Sequence, residues 1–404
     1  MIVRFTKWVS RNVPLLLLGA AAGLAWANLA PESYLRLRDL HFPAADHGGV
    51  WRGMDLRYLV NDILMSLFFA LMGKEVWEAL LPGGSLNDRR RAATPVLCAV
   101  GGMAAPAAIY LALAALTGRW ADLRQGWAIP CATDIAFSCL VARLVFGRDH
   151  PATPFLLLLA IADDALGLIV LAVFYPVEPI RPVWLALSGL AVGLGLLLRR
   201  SRVQGFGWYL AGPGALSWFG FALSGLHPAL GLLPIIPTLP HARAAGQPHW
   251  EATRRTDTLD RFEAFWKQPV EVILGLFGLL NAGVLLGAAG AVTWIVLLAL
   301  TAGKPLGIFV SGLLGTKLLR LNLPDEVGPR ELFVIGCAAG IGFTVALFVA
   351  TVAFEKGPTQ DAAKIGALAS CAAGGITFAA ARLLGLRRKV CARGQARLAG
   401  GSRP

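Results

Sequence analysis

Long apolar runs, separated by short charged or Pro/Gly-rich breaks, organise the chain from end to end. A membrane-spanning helix needs about 20 mostly apolar residues. On that measure the pattern predicts twelve spans, near 12–30, 58–81, 92–117, 127–146, 153–175, 183–198, 206–224, 226–238, 262–287, 291–316, 330–355 and 362–386. The eighth is short and proline-rich and the ninth contains Pro269, so both are expected to be tilted or broken. Two segments lie outside this rhythm: an external stretch at 31–57 and a basic tail at 391–404. Everything else, 1–390, reads as one transmembrane domain.

Composition narrows the class further. Of 404 residues, 56% are hydrophobic and only 15% are charged, against about 25% charged in a soluble protein. Such a chain lacks the polar surface to stay in solution, and disorder, collagen-like repeats and a disulfide scaffold are excluded as well. The 46 glycines suit membrane helices, where Gly is commoner than in soluble ones. The fold class is an all-α polytopic membrane protein. Net charge +13 would suggest nucleic acid in a soluble protein, but no basic and aromatic interleaving supports that partner. The basic residues instead cluster between spans. Arg4, Lys7 and Arg11, then Arg89 to Arg91, Arg199 to Arg202, Arg254 to Lys267 and the tail fall on one side. By the positive-inside rule that side is cytoplasmic, and both termini with it.

Arg4 to Arg11 followed by an apolar run also resembles a signal peptide, with Ala25-Trp26-Ala27 as a cleavage site. Cleavage would put the second span in the wrong orientation, so retention is expected. Cys98, Cys131, Cys139, Cys337, Cys371 and Cys391 show neither CxxC nor a His partner at zinc spacing; no cofactor is indicated. There is no P-loop, GxSxG or HExxH, and an enzyme is not expected.

Chemistry is carried by the ionisable residues inside the spans, each of which costs several kcal/mol unless partnered or used. Asp163 and Asp164 are adjacent in the middle of the fifth span. Neighbours on a helix point about 100° apart, so the two cannot share one stripe. In a water-reaching cavity they titrate as a coupled pair, and one site can hold either protons or a small cation. In the fourth span Pro130 interrupts the helix just before Thr133 and Asp134. The eleventh has its own break at Gly340-Ile341-Gly342. Non-helical backbone at membrane depth persists only where it lines a cavity or is buried in protein, and paired breaks in two halves point to a transport site.

Lys304, in the tenth span, is either a snorkelling residue or a partner of Asp163, Asp164 or Asp134. In the second span Asp62 lies near one end and Lys74, Glu75 and Glu78 near the other, forming either a solvated funnel wall or a titrating cluster. His227 is either a satisfied turn residue or a group titrating near neutrality. Glu263 and Glu271 are similarly open.

Taken together, Asn61-Asp62-Ile-Leu-Met-Ser-Leu-Phe-Phe, Gly126-Trp-Ala-Ile-Pro-Cys-Ala-Thr-Asp134-Ile-Ala-Phe and Leu159-Ala-Ile-Ala-Asp163-Asp164 resemble the NhaA family of sodium/proton antiporters. Ser224-Gly-Leu-His227, Asn281-Ala-Gly-Val284, Gly303-Lys-Pro-Leu-Gly-Ile308 and Gly340-Ile-Gly-Phe-Thr-Val345 extend the likeness over nearly the whole chain. The resemblance implies about twelve helices, inverted repeats, and two broken helices crossing beside the ion site. It implies Na⁺ or Li⁺ exchanged for H⁺, two protons per sodium, in a bacterial inner membrane. Asp163 and Asp164 would carry cation and protons, with Asp164 the principal ligand. Lys304 would pair with Asp163 in the sodium-free site, and Thr133 and Asp134 would stabilise the crossing. Asp62, Glu75, Glu78, His227 and Glu263 would serve pH sensing or access. An external hairpin within 31–57, its tip at His47-Gly48-Gly49-Val50, would mediate a homodimer.

One departure stands out. Where the family carries a Glu, Lys, Arg, Glu series, this chain reads Lys74-Glu75-Val76-Trp77-Glu78-Ala79, and only Glu75 matches. Activation by alkaline pH is therefore not carried over. Two other readings compete with antiport: a Na⁺- or H⁺-coupled symporter of a small organic anion, and a membrane scaffold whose carboxylates are merely structural.

Overall fold

The computed structural model describes residues 2–40, 54–147, 150–241 and 257–386. Fifteen helices account for the fold, and no strand occurs among the described residues. They are α1 (Ile2–Leu29), α2 (Pro31–Arg38), α3 (Leu56–Leu80), α4 (Arg89–Leu116), α5 (Trp120–Cys131), α6 (Ile135–Phe146), α7 (Ala152–Phe174), α8 (Pro182–Arg200), α9 (206–224), α10 (Pro228–Thr238), α11 (Thr258–Asn281), α12 (Ala291–Lys317), α13 (Pro329–Ala339), α14 (Phe343–Ala353) and α15 (Pro358–Leu383). Four of them start on an aspartate whose side chain accepts a backbone N–H of the first turn: Asp55, Asp88, Asp134 and Asp257. That is the expected use of a short acidic side chain at a helix start.

Six helices are long and apolar enough to cross a membrane, α3, α4, α7, α8, α12 and α15. The pairs α5/α6 and α13/α14 each pass that test as one span bent by 51°, which makes eight. The chain is a multi-pass membrane protein. The remaining expected spans are helical but fall short of the criterion. Helix α10 is short, 3₁₀-wound and carries Pro234 and Pro237. Helix α11 opens with Asp260, Arg261, Glu263 and Lys267 before its apolar part.

Residues 31–38, at the start of the external segment, form helix α2. Pro31 stands in the first turn with Glu32, and Arg36 and Arg38 in the last, an arrangement that favours a helix and its dipole. The hairpin tip at 47–50, Cys391 and the tail lie outside the described residues. The other five cysteines are free thiols, four of them buried.

Close helix contacts rest on glycine. A Cβ on Gly19 of α1 would lie 2.0 Å from the Gly275 carbonyl oxygen of α11, and one on Gly307 of α12 would lie 2.1 Å from that of Gly101 in α4. Small residues at such crossings let membrane helices approach backbone to backbone. Phe348 of α14 packs edge-on against Phe69 of α3, ring centroids 4.9 Å apart, which ties the second broken pair to α3.

Candidate functional site

The two breaks meet. After Pro130 the chain leaves 3₁₀ geometry and runs extended through Ala132 to Asp134 before α6 begins. Between α13 and α14 the interruption is Gly340-Ile341-Gly342. The Asp134 N–H donates to the Ile341 carbonyl at 2.7 Å, and the Thr133 hydroxyl donates to the Ala339 carbonyl at 3.2 Å. Ser138 donates to the Ala338 carbonyl at 2.8 Å. A Cβ on Gly342 would stand 2.9 Å from the Ala132 carbonyl oxygen, so only glycine lets the strands of chain touch there.

Asp134 sits between two helix starts. One oxygen accepts the Phe137 N–H at 3.2 Å; the other accepts the Thr344 N–H at 3.2 Å and the Thr344 hydroxyl in a short bond. The N-termini of α6 and α14 thus both present their positive ends to one buried carboxylate. Helix ends with opposite sign are met elsewhere: the buried Lys304 ammonium donates to the Cys131 carbonyl, at the end of α5.

Lys304 also donates to Asp163 Oδ2 at 2.8 Å, and both side chains are fully enclosed. Of the three partners expected for Lys304, Asp163 is the one the fold supplies. The turn Ala299–Gly303 just ahead of Lys304 is π-wound. Pro305 has no N–H to give to that turn and crowds its carbonyls, which accounts for the widening. The remaining oxygen of Asp163, Oδ1, has no hydrogen-bond partner among the described residues.

Asp164 points elsewhere. It lines a cavity of about 90 Å³ together with Thr133, Asp134, Thr344, Glu75, Lys74, Glu263 and Lys267. That is room for a file of a few waters. The cavity therefore joins the crossing to the end of α3, where Lys74 Nζ lies 2.7 Å from Glu78 and 2.5 Å from Glu263 of α11. Glu75 and Asp164 face the same space; Glu78 is engaged with Lys74 and does not line it.

Asp62 and His227 lie apart from this group. His227 Nδ1 accepts the Ala229 N–H at 3.3 Å and stands 3.6 Å from Asp62, too long for a hydrogen bond. In the neutral ring that accepting role puts the proton on Nε2. His227 caps the short turn into α10, and its ring lies tilted against Phe348 with centroids 5.0 Å apart. Glu271 does not line the cavity.

Three contributors escaped the sequence reading: the Thr344 hydroxyl, the Cys131 carbonyl and the Lys74–Glu263 pair. Thr344 directly follows the glycine break, which was the available signal. The lysine pair joins residues far apart in sequence, and no spacing rule reaches across it. No group of three His, Cys, Asp or Glu side chains capable of holding a metal occurs among the described residues.

A multi-pass membrane protein with an ionisable site built on two crossed, interrupted helices belongs to the secondary-transporter class. A sequence profile described as Na⁺/H⁺ antiporter 1 matches residues 4–381. The chain is 49% identical to a Na⁺/H⁺ antiporter NhaA of Jannaschia sp. (strain CCS1), over 93% of this chain and 96% of that one. It is 46% identical to the protein of the same name from Geotalea uraniireducens (strain Rf4), over 94% and 96%. A third, from Geobacter metallireducens, is 47% identical over 93% and 97%. The chain belongs to the NhaA family, a family of transporters and not of enzymes.

Proposed function

We propose that the protein exchanges Na⁺ or Li⁺ on the cytoplasmic side for external H⁺ by alternating access at Asp163 and Asp164. The observation that carries this reading is that Asp164 lines the cavity while its neighbour is held by Lys304. A small hard cation prefers carboxylate, hydroxyl and carbonyl oxygens. Asp164, the free oxygen of Asp163 and Thr133 supply that donor set, the cation being cargo. Sodium entering along the cavity draws Asp163 toward itself and releases Lys304, and protons reverse the exchange. Competition for the same carboxylates makes transport fail at low pH, where protons keep the site, and slow where protons are scarce.

With two carboxylates taking protons on one side and one cation on the other, each cycle imports one net charge. That charge is worth about 2.3 kcal/mol per 100 mV, enough to hold a sodium gradient of about fifty-fold, at 1.4 kcal/mol per factor of ten. On this reading Lys74, Glu75, Glu78, Glu263 and Lys267 form the cytoplasmic approach, and Asp62 with His227 lies toward the opposite face. About twelve spans arranged as inverted repeats, both termini cytoplasmic in a bacterial inner membrane, and a homodimer through the segment 31–57 complete the proposal.

The test uses purified protein in proteoliposomes with an acid interior and a pH-sensitive dye. Prompt alkalinisation on adding external Na⁺ or Li⁺, in the wild type and not in Asp164→Asn, is the expected result. Full exchange in Asp164→Asn would sink the proposal, and silence of the wild type across the pH range would favour the symporter or scaffold.

A further inference from the structure

The other end of α3, on the order of 25 Å from Lys74 at 1.5 Å per residue, holds a second cavity of about 270 Å³. It lies between Tyr34 and Arg38 of α2, Arg57 of α3, the turn 283–285 after α11, and Lys356 to Asp361 at the start of α15. Its walls are fixed. Tyr34 is buried and donates to the Leu279 and Leu280 carbonyls, each at 2.9 Å. Asn28 clamps the turn by donating to Val284 at 2.9 Å and accepting from Leu286 at 3.0 Å. On the far wall Gln360 spends its amide N–H groups on the Thr351 and Phe354 carbonyls, leaving its oxygen toward Arg57.

Charge is dense here. Among the described residues, Arg38, Arg57 and Lys356 face three carboxylates, Asp39, Asp55 and Asp361. Two of the carboxylates are already engaged. Asp39 takes both hydrogen bonds of Arg38, at 2.9 and 3.1 Å. Although burial raises its carboxyl pKa, those bonds and the Arg38 charge hold it below the ordinary value. Asp55 caps α3 at 2.7 Å with one oxygen and meets Lys356 at 3.3 Å with the other. Among the described residues Arg57, only 7% exposed, has a single long bond of 3.4 Å, to the neutral Gln360 oxygen. Lys364, 2% exposed, lies behind the wall and has no ion pair among the described residues. Asp55 and Asp39, the carboxylates nearest Arg57, are thus both committed elsewhere, which leaves the buried Arg57 guanidinium without a charged hydrogen-bond partner among the described residues.

We propose that this cavity binds a tetrahedral oxyanion of the phosphate class, either free or at the head of a membrane lipid. Arg57 is the principal ligand: its guanidinium lines the cavity, and its planar fork suits two oxygens of such an anion. Arg38 and Lys356 stand at the rim. The anion would tie α2, α3 and α15 together at the face away from the cation approach. The site shares no residue with the proposed cation site and stands or falls without the exchange reading; Tyr34, Arg38 and Arg57 lie in the segment proposed for the dimer.

Purified full-length protein in a nonionic detergent is titrated with radiolabelled inorganic phosphate at constant ionic strength. A parallel arm measures retention of phosphatidylglycerol over phosphatidylcholine by native mass spectrometry. One saturable phosphate site, displaced by sulfate and weakened by about tenfold in Arg57→Gln, supports a free oxyanion. Preferential retention of phosphatidylglycerol that Arg57→Gln abolishes, without free-phosphate binding, supports the lipid headgroup. Should Arg57→Gln not fold, Lys356→Met is expected to weaken binding, and Asp361→Asn, which removes a competing carboxylate, to tighten it. If neither phosphate nor phosphatidylglycerol distinguishes the wild type from these folded variants, the site does not exist.

Discussion

Replacing Lys304 by methionine keeps the length of the side chain and removes its charge. In the native fold the ammonium serves Asp163 Oδ2 and the Cys131 carbonyl, while Asp163 Oδ1 has no partner among the described residues. Lys304→Met therefore strips a fully enclosed carboxylate of the one cation it has and leaves a helix-end carbonyl unsatisfied. Breaking a buried pair in this way costs about 3–5 kcal/mol. The damage is not that of lost packing, so it should be largely repaired by removing the other charge. A double-mutant cycle with Asp163→Asn isolates the pair, and a coupling of about 2 kcal/mol is expected, near the top of the range for residues in contact. The assay is reversible unfolding in mixed detergent micelles of the wild type, both single variants and the double variant. If Lys304→Met is as stable as the wild type, or the two losses simply add, then the pair is not what holds α12 against α7 and the argument is wrong.

Two further outcomes follow from the same geometry. Thr344→Val removes the hydroxyl that Asp134 accepts and leaves its two backbone donors, so stability should fall by about 1.5–3 kcal/mol; Thr344→Ser should recover most of it in the same unfolding assay. Lys74→Met releases Glu78 and Glu263 at the approach to Asp164, and the pH profile of proteoliposome exchange should move while the maximal rate changes less; an unmoved profile would make the lysine purely structural.

How much of this could be read from the chain depends on the kind of interaction. Both helix breaks were legible, because Pro130 and the Gly340–Gly342 pair act locally on backbone geometry. The importance of Asp163, Asp164 and Lys304 was legible too, since an ion in an apolar run demands an explanation. Which carboxylate Lys304 meets was left open by the residues themselves, because it depends on how α12 lies against α7. The apolar runs also marked where the helices lie, though α10 is short because proline repeatedly interrupts its hydrogen bonding, and in α11 the apolar part follows a charged first half. Helix α2 at Pro31 to Arg38 was not singled out, although proline in its first turn and arginines in its last were local signals for it. Lys74 shows the opposite case. No spacing rule pairs it with Glu263, yet the fold brings the two to 2.5 Å.

On the exchange proposal, the crossing also gives the two adjacent aspartates different work. Asp134 neutralises the ends of α6 and α14, and Lys304 answers both the end of α5 and Asp163, so these charges are committed to holding broken backbone in place. Rotation by about 100° from Asp163 to Asp164 along α7 turns the second carboxylate from that committed cluster into the cavity. An exchangeable ion needs a ligand whose departure costs the fold little, and Asp164 meets that condition where its neighbours do not. Asp163 stands between the two roles, one oxygen bound to Lys304 and one without a partner. Loss of Asp164 should therefore remove exchange with little effect on unfolding, whereas loss of Lys304 should affect both, and that split separates the carrier from the frame.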